Sequence, residues 1–127
     1  MAIDIEYRND GVVIVVTPNE HVSIHEYLDM MDNTLIPYVR EIAPKKVHML
    51  YNLAHISWTF PDLMIYIKRT VERRKSTPPP TNVEHHFIGT GEWVNNWRSY
   101  MLKNFNLETG AFKNVEDALM YIREYGL

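Results

Sequence analysis

The residues of this chain whose types could do chemistry are six histidines and the hydroxyls of one turn. His55, Ser57 and Asp62 share a short stretch and carry the groups of a hydrolytic relay, in which an imidazole takes a serine proton and a carboxylate orients the ring. That chemistry also needs an oxyanion hole, and no G-x-S-x-G elbow surrounds Ser57. An enzyme is therefore not expected. Zinc requires three or four converging ligands. His21 and His25 are four apart, but His21 precedes the Ser23 helix cap. His85 and His86 are adjacent on a predicted strand and so point to opposite faces, while His48 lies inside another strand. With His55 in a turn, the histidines read as ordinary surface or core residues, and neither a metal nor a cofactor is expected. Gly89-Thr90-Gly91 leads into a helix but fits neither G-x-G-x-x-G nor a P-loop, and reads as a tight turn.

The stretch from Lys46 to Leu63, KVHMLYNLAHISWTFPDL, gathers most of the remaining candidates. A strand runs into a polar turn, and the turn into a helix headed by Pro61. In α/β proteins, ligands and partners dock beyond the carboxyl ends of strands. The candidate partner- or ligand-binding residues are Asn52, His55, Ser57, Trp58 and Thr59 in the turn, with Ile65, Tyr66 and Arg69 on the helix. Thr59 has the position of an N-cap; a phosphate on Ser57 or Thr59 would meet the positive end of the helix dipole. No core periodicity claims Trp58. It reads either as a side chain filling a gap over the sheet or as an exposed anchor; as an anchor, Trp58→Ala should weaken binding without unfolding the protein. Lys68, Arg69, Arg73, Arg74 and Lys75 crowd the helix end, where cations complement the dipole or steer a charged partner.

The elements that must position these residues follow from periodicity. Ile3, Ile5 and Tyr7 alternate with Asp4, Glu6 and Arg8, a half-exposed strand; Asn9-Asp10-Gly11 is turn chemistry, and Val12 to Thr17 returns as a buried strand. Ser23 and Glu26 form a capping box for a first helix, which Pro37 should kink or split. Val47 to Leu53 is a third strand. Phe60, Leu63, Met64, Ile67 and Val71 form the inward stripe of a second helix, which leaves Ile65 off it. STPPPTN, residues 76–82, is a surface loop. Val83 to Ile88 is a fourth strand, and the next helix faces inward with Trp93 or Val94, Trp97, Met101 and Phe105. Thr109 to Phe112 is a short fifth strand. The last helix is capped by Asn114, buries Val115, Ala118, Leu119 and Ile122, and ends with Gly126 as its cap. The order β-β-α-β-α-β-α-β-α predicts one hairpin followed by right-handed parallel crossovers: an α/β fold with a mixed, mostly parallel five-stranded sheet and helices packed against it.

The 127 residues make one domain, 1–127, with 46% hydrophobic and 23% charged residues, ordinary for a globular protein. A net charge of −3 gives no basic field for nucleic acid. There is no cysteine, which excludes disulfides and thiol chemistry. The start, MAIDIEYRND, lacks a secretory pattern and the longest aliphatic run, Val12 to Val16, is far short of a membrane span, so a cytoplasmic protein is expected.

Four stretches in order, TLIPYV, LYNLAHISWTFPDL, FIGTGEWVNNWRSYMLKNF and FKNVEDALMYI, resemble the STAS-like, SpoIIAA-like proteins, related in fold to anti-sigma-factor antagonists and CRAL-TRIO lipid carriers. The resemblance implies a small non-enzymatic domain that binds a protein partner or its own copy as a homodimer, through the turn and the face of the second helix. Alternatively it carries a small apolar or lipid ligand between the sheet and the second and third helices. In partner-switching members a serine at the start of the second helix is phosphorylated. Here Asn52 stands where an aspartate is usual and ISWTFPD replaces the D-S-S-G type motif, so Ser57 and Thr59 do not match that switch.

Overall fold

The structure is a computed structural model that describes residues 2–89 and 92–126, the side chain of Trp93 excepted. Its strands are β1 (Ile3–Arg8), β2 (Val13–Pro18), β3 (Val47–Asn52), β4 (Val83–Ile88) and β5 (Gly110–Phe112), and they lie in the sheet in chain order. The hairpin pairs β1 and β2 antiparallel, while β2 to β5 are parallel. This is the mixed, mostly parallel α/β sheet that the alternation of strands and helices dictates. In the hairpin loop Asn9, Asp10 and Gly11 have φ of 52°, 58° and 84°, a left-handed run suited to Asn, Asp and Gly. The Tyr38 hydroxyl donates to the Gly11 carbonyl at 2.7 Å.

The helices are α1 (Ile24–Met30), α2 (Ile36–Glu41), α3 (Phe60–Ser76), α4 (Glu92–Phe105) and α5 (Val115–Tyr121). α1 begins in the capping box of Ser23 and Glu26. The expected break at Pro37 is present and takes a specific form. Residues Met31–Leu35 form one π-helical turn, in which the Ile36 N–H reaches the Met31 carbonyl. A proline lacks the N–H that would continue the α-helical ladder, and the wider turn spreads that loss over the preceding residues.

Strand alternation divides the interior in two. On one face Ile14, Val16, Val47, Met49, Tyr51 and Phe87 meet α1 to α4 through Tyr27, Leu28, Val39, Leu63, Val94, Trp97 and Met101. On the other, Val13, Val15, Leu50 and Ile88 meet Ala118 and Ile122 of α5 and the π-helical turn that follows it. The inward stripe of α3 is rotated from its expected position. Phe60 and Val71 are exposed, and Leu63 and Thr70 are the buried positions, with Tyr66 and Ile67 packed beside them. Ile65 is half-buried against the core rather than off it. Gly126 lies within the terminal π turn (Ile122–Gly126), where a Cβ would come 2.9 Å from His48 Cε1, so close approach rather than capping calls for glycine there. Thr90 and Gly91 of the expected tight turn lie outside the described residues. No helix among those described is long and apolar enough to cross a membrane.

Candidate functional site

The turn after β3 brings its polar residues to the surface but joins them to the fold rather than to one another. Asn52 Oδ1 accepts from the Ala54 N–H at 3.4 Å, and the Ser57 hydroxyl donates to the Glu20 carbonyl at 2.8 Å. Asp62 closes onto the start of α3, accepting from the Thr59 N–H at 2.8 Å and from the Thr59 hydroxyl at 3.1 Å. The groups of a hydrolytic relay are thus committed elsewhere, with Ser57 tied to a backbone carbonyl and Asp62 to Thr59. His55 and Thr59 are exposed. Trp58 is not an exposed anchor. It is 6% exposed, packs edge-on to Tyr27 and against Trp97, and donates its indole N–H to the Val22 carbonyl at 2.7 Å. Arg69 is paired with Asp29 at 2.6 Å and Asp32 at 3.0 Å, so it clamps α3 to α1 and the π turn instead of projecting a charge for steering. Arg73 also pairs with Asp32.

A cavity of about 360 Å³ opens on the other side of Tyr66, between the α1–α4 face of the sheet and the helices above it. Its walls are mainly apolar, from Met31 and Leu35 through Met49 to Met101 and Phe105, with Pro79 and Pro80 of the 77–82 loop also lining it. Arg40 pins that loop through the Pro78 carbonyl at 2.6 Å. Polar groups are few. The Thr70 hydroxyl is buried beside the Tyr66 phenol, Arg74 Nε is buried with no hydrogen-bond partner among the described residues, and the Arg74 guanidinium rests 4.6 Å from the centre of the Phe105 ring. Burial, reinforced by the neighbouring Arg73 charge, holds the Arg74 guanidinium below its ordinary value. Burial raises the Tyr51 phenol well up and pushes the His85 imidazole down to about 4, the charges of His86 and Arg74 adding to the latter. The Tyr51 hydroxyl and His85 Nδ1 share a hydrogen bond of 2.6 Å, whose direction follows the tautomer of the ring.

On the opposite face, under α5, His48 and His86 are buried side by side with ring nitrogens 3.3 Å apart, and the Glu84 carboxylate stands 3.4 Å from His86. Lys46 pairs with Glu84 at 2.7 Å and is the first cause of its lowered pKa. Burial pushes His86 down to about 4 against the opposing pull of Glu84.

The fold has a match among solved structures. An uncharacterised protein of the DUF3478 family from Shewanella loihica PV-4, described as having a SpoIIAA-like fold, superposes with a TM-score of 0.61 over 94% of this chain and 91% of its own, at 17% identity. The chain has a SpoIIAA-like fold. No family model and no curated protein matches the sequence.

Within this SpoIIAA-like fold the sequence-predicted candidates scatter. Tyr66 lines the cavity, Asn52, His55, Ser57 and Thr59 lie along the turn, Trp58 is core, and Arg69 is a clamp. The cavity lies beneath the loop leading into β4, not beyond the carboxyl ends of the strands where topology directs attention. Thr70 is the residue sequence reasoning missed, and Arg74 was read only as part of the basic end of the helix. A signal existed in the spacing Leu63, Tyr66, Ile67, Thr70, which is a better helical stripe than one that begins at Phe60.

Proposed function

We propose that this chain is a non-catalytic binding protein that holds a small, mainly apolar molecule between the sheet and helices α3 and α4. The observation that carries the reading is the cavity of about 360 Å³, a size within the range of small-molecule sites and of their usual make-up, apolar walls with a few convergent polar groups. Thr70 and Arg74 supply those groups, and a half-buried guanidinium whose Nε has no partner among the described residues suits an anionic end such as a carboxylate. A fluorescent medium-chain fatty acid, titrated into delipidated full-length protein, should bind saturably and one to one. Leu107→Trp, which fills the cavity from its half-buried rim, should abolish binding, and Arg74→Gln should weaken it roughly tenfold, the scale of a lost charged hydrogen bond. The reading fails if the wild type binds no such probe, or if both variants, folded by circular dichroism, bind as it does.

A second reading rests on Phe60. This ring is 54% exposed at the head of α3, edge-on to Tyr100 at 5.9 Å, beside exposed Thr59 and Pro61. An aromatic there can anchor a protein partner or a second copy of the chain, in the place the sequence suggested for Trp58. If light scattering finds a dimer, Phe60→Ala should convert it to monomer at unchanged thermal stability; a dimer indifferent to that substitution excludes this surface.

A further inference from the structure

We propose that His48, Glu84 and His86 form a binding site for a divalent transition-metal ion of the zinc type. The parallel register of β3 and β4 builds it: His48 faces Glu84 across the strands, and His86 follows two residues on, on the same face. The two imidazoles are 1% and 2% exposed, and the three donor atoms all lie within 4.8 Å of one another.

Two of the three separations match those of donors sharing one ion, and the third pair, His48 and Glu84, stays within 4.8 Å. His48 Nδ1 is 3.3 Å from His86 Nε2, and Glu84 Oε1 is 3.4 Å from the same nitrogen. Both are long for a hydrogen bond, whose usual donor–acceptor separation is about 2.9–3.0 Å. Two donors each ~2.0–2.1 Å from one tetrahedral zinc ion stand roughly 3.3–3.4 Å apart. His48 Nε2 lies 3.1 Å from the Gly126 carbonyl. Donating there fixes the tautomer whose Nδ1 lone pair faces His86, the way metal-binding histidines are commonly held. Lys46 occupies the far oxygen of Glu84 and leaves Oε1 to the histidines. A cleft of about 430 Å³ adjoins Glu84 and His86 and reaches Thr109 and Tyr121, which gives room for water in the open coordination position. Two histidines and one glutamate suit Zn²⁺, with Co²⁺ and Ni²⁺ as substitutes. Glycines keep the rings in place, since a Cβ at Gly110 would come 2.8 Å from His86 Nδ1.

The test is calorimetric titration of chelator-treated, untagged full-length protein with ZnCl₂, repeated with CoCl₂ for its visible spectrum. Saturable one-to-one Zn²⁺ binding, a Zn²⁺-dependent rise in melting temperature and a tetrahedral Co²⁺ band are expected. Glu84→Gln, on a partly exposed side chain, should weaken Zn²⁺ by at least ~10-fold, while His21→Gln with His25→Gln should leave it unchanged. No saturable binding in the wild type, full affinity in Glu84→Gln, or loss of binding in the His21/His25 variant would each overturn the proposal.

Discussion

At the scale of single residues, Trp58 sets the tone. Its indole closes the gap between the β3 turn and the first helical layer, with ring contacts to Tyr27 and Trp97 and a hydrogen bond to the Val22 carbonyl. Trp58→Ala should therefore lose about 3–5 kcal/mol in urea unfolding, the range for emptying an aromatic core site. Trp58→Phe should lose about 1–3 kcal/mol, because it strands the Val22 carbonyl more than it empties the space. A Trp58→Ala protein of wild-type stability would show that the indole is dispensable to the core. The sequence allowed both roles for this side chain, since a tryptophan in a turn belongs to no periodic stripe. What decides is the approach of Val22 from 36 positions away. His85 and His86 were legible as opposite-facing neighbours, yet the company each keeps was not: Tyr51 and Glu84 arrive through strand pairing, which no local pattern encodes.

At the scale of elements, α3 is held by charge as well as by its apolar face. Asp32, in the π turn, takes both Arg69 and Arg73, and Asp29 takes Arg69 again. These groups are partly solvated, so the network is worth little more than ordinary surface pairs, helped by shared geometry. Asp32→Ala should cost about 1–2 kcal/mol in urea unfolding, and the gap from wild type should shrink as salt rises; a gap insensitive to salt would assign the loss to packing instead. The basic end of α3 was plain in the sequence and read as a dipole complement or a steering patch. Its partners lie on a segment that Pro37 reshapes, and the exact phase of that π turn, which points Asp32 at α3, follows from hydrogen bonding around the proline and not from hydrophobic spacing. The rotated stripe of α3 has a related cause. Phe60 and Val71 fit an apolar period, but Thr70 is small enough to sit against the sheet and leave the cavity.

At the scale of the whole molecule, one sheet separates two dissimilar interiors, a broad one beneath four helices and a narrow one beneath α5. The hairpin and the parallel crossovers were legible, because they follow from alternation and turn chemistry that every segment repeats, whereas the lateral order of the strands is a fact of the structure. The cavity was foreseen only as a layer between sheet and helices, since voids are set by the sum of side-chain volumes across elements distant in sequence. Both interiors bury a histidine in its neutral form. His85 and His86 have folded values of about 4 against an ordinary 6.5. The unfolded chain takes up these protons first, so stability is fully present above about pH 6.5 and is lost as pH falls towards 4. In chelator-containing buffer, the urea midpoint should drop steeply between pH 6.5 and 4.5. His85→Asn should make that slope shallower; an unaltered slope would mean that other groups drive the acid response.

Because His85 and His86 are consecutive yet look in opposite directions, a single strand serves as back wall to both interiors, and its reading frame is fixed from both sides at once. One residue inserted between Val83 and His85 would exchange the rings, turning a hydrogen-bonding partner of Tyr51 out of the cavity and a partner of His48 into it. Changes of length in this part of the chain are therefore confined to the proline loop before β4, where an added residue lengthens a connection without inverting a face.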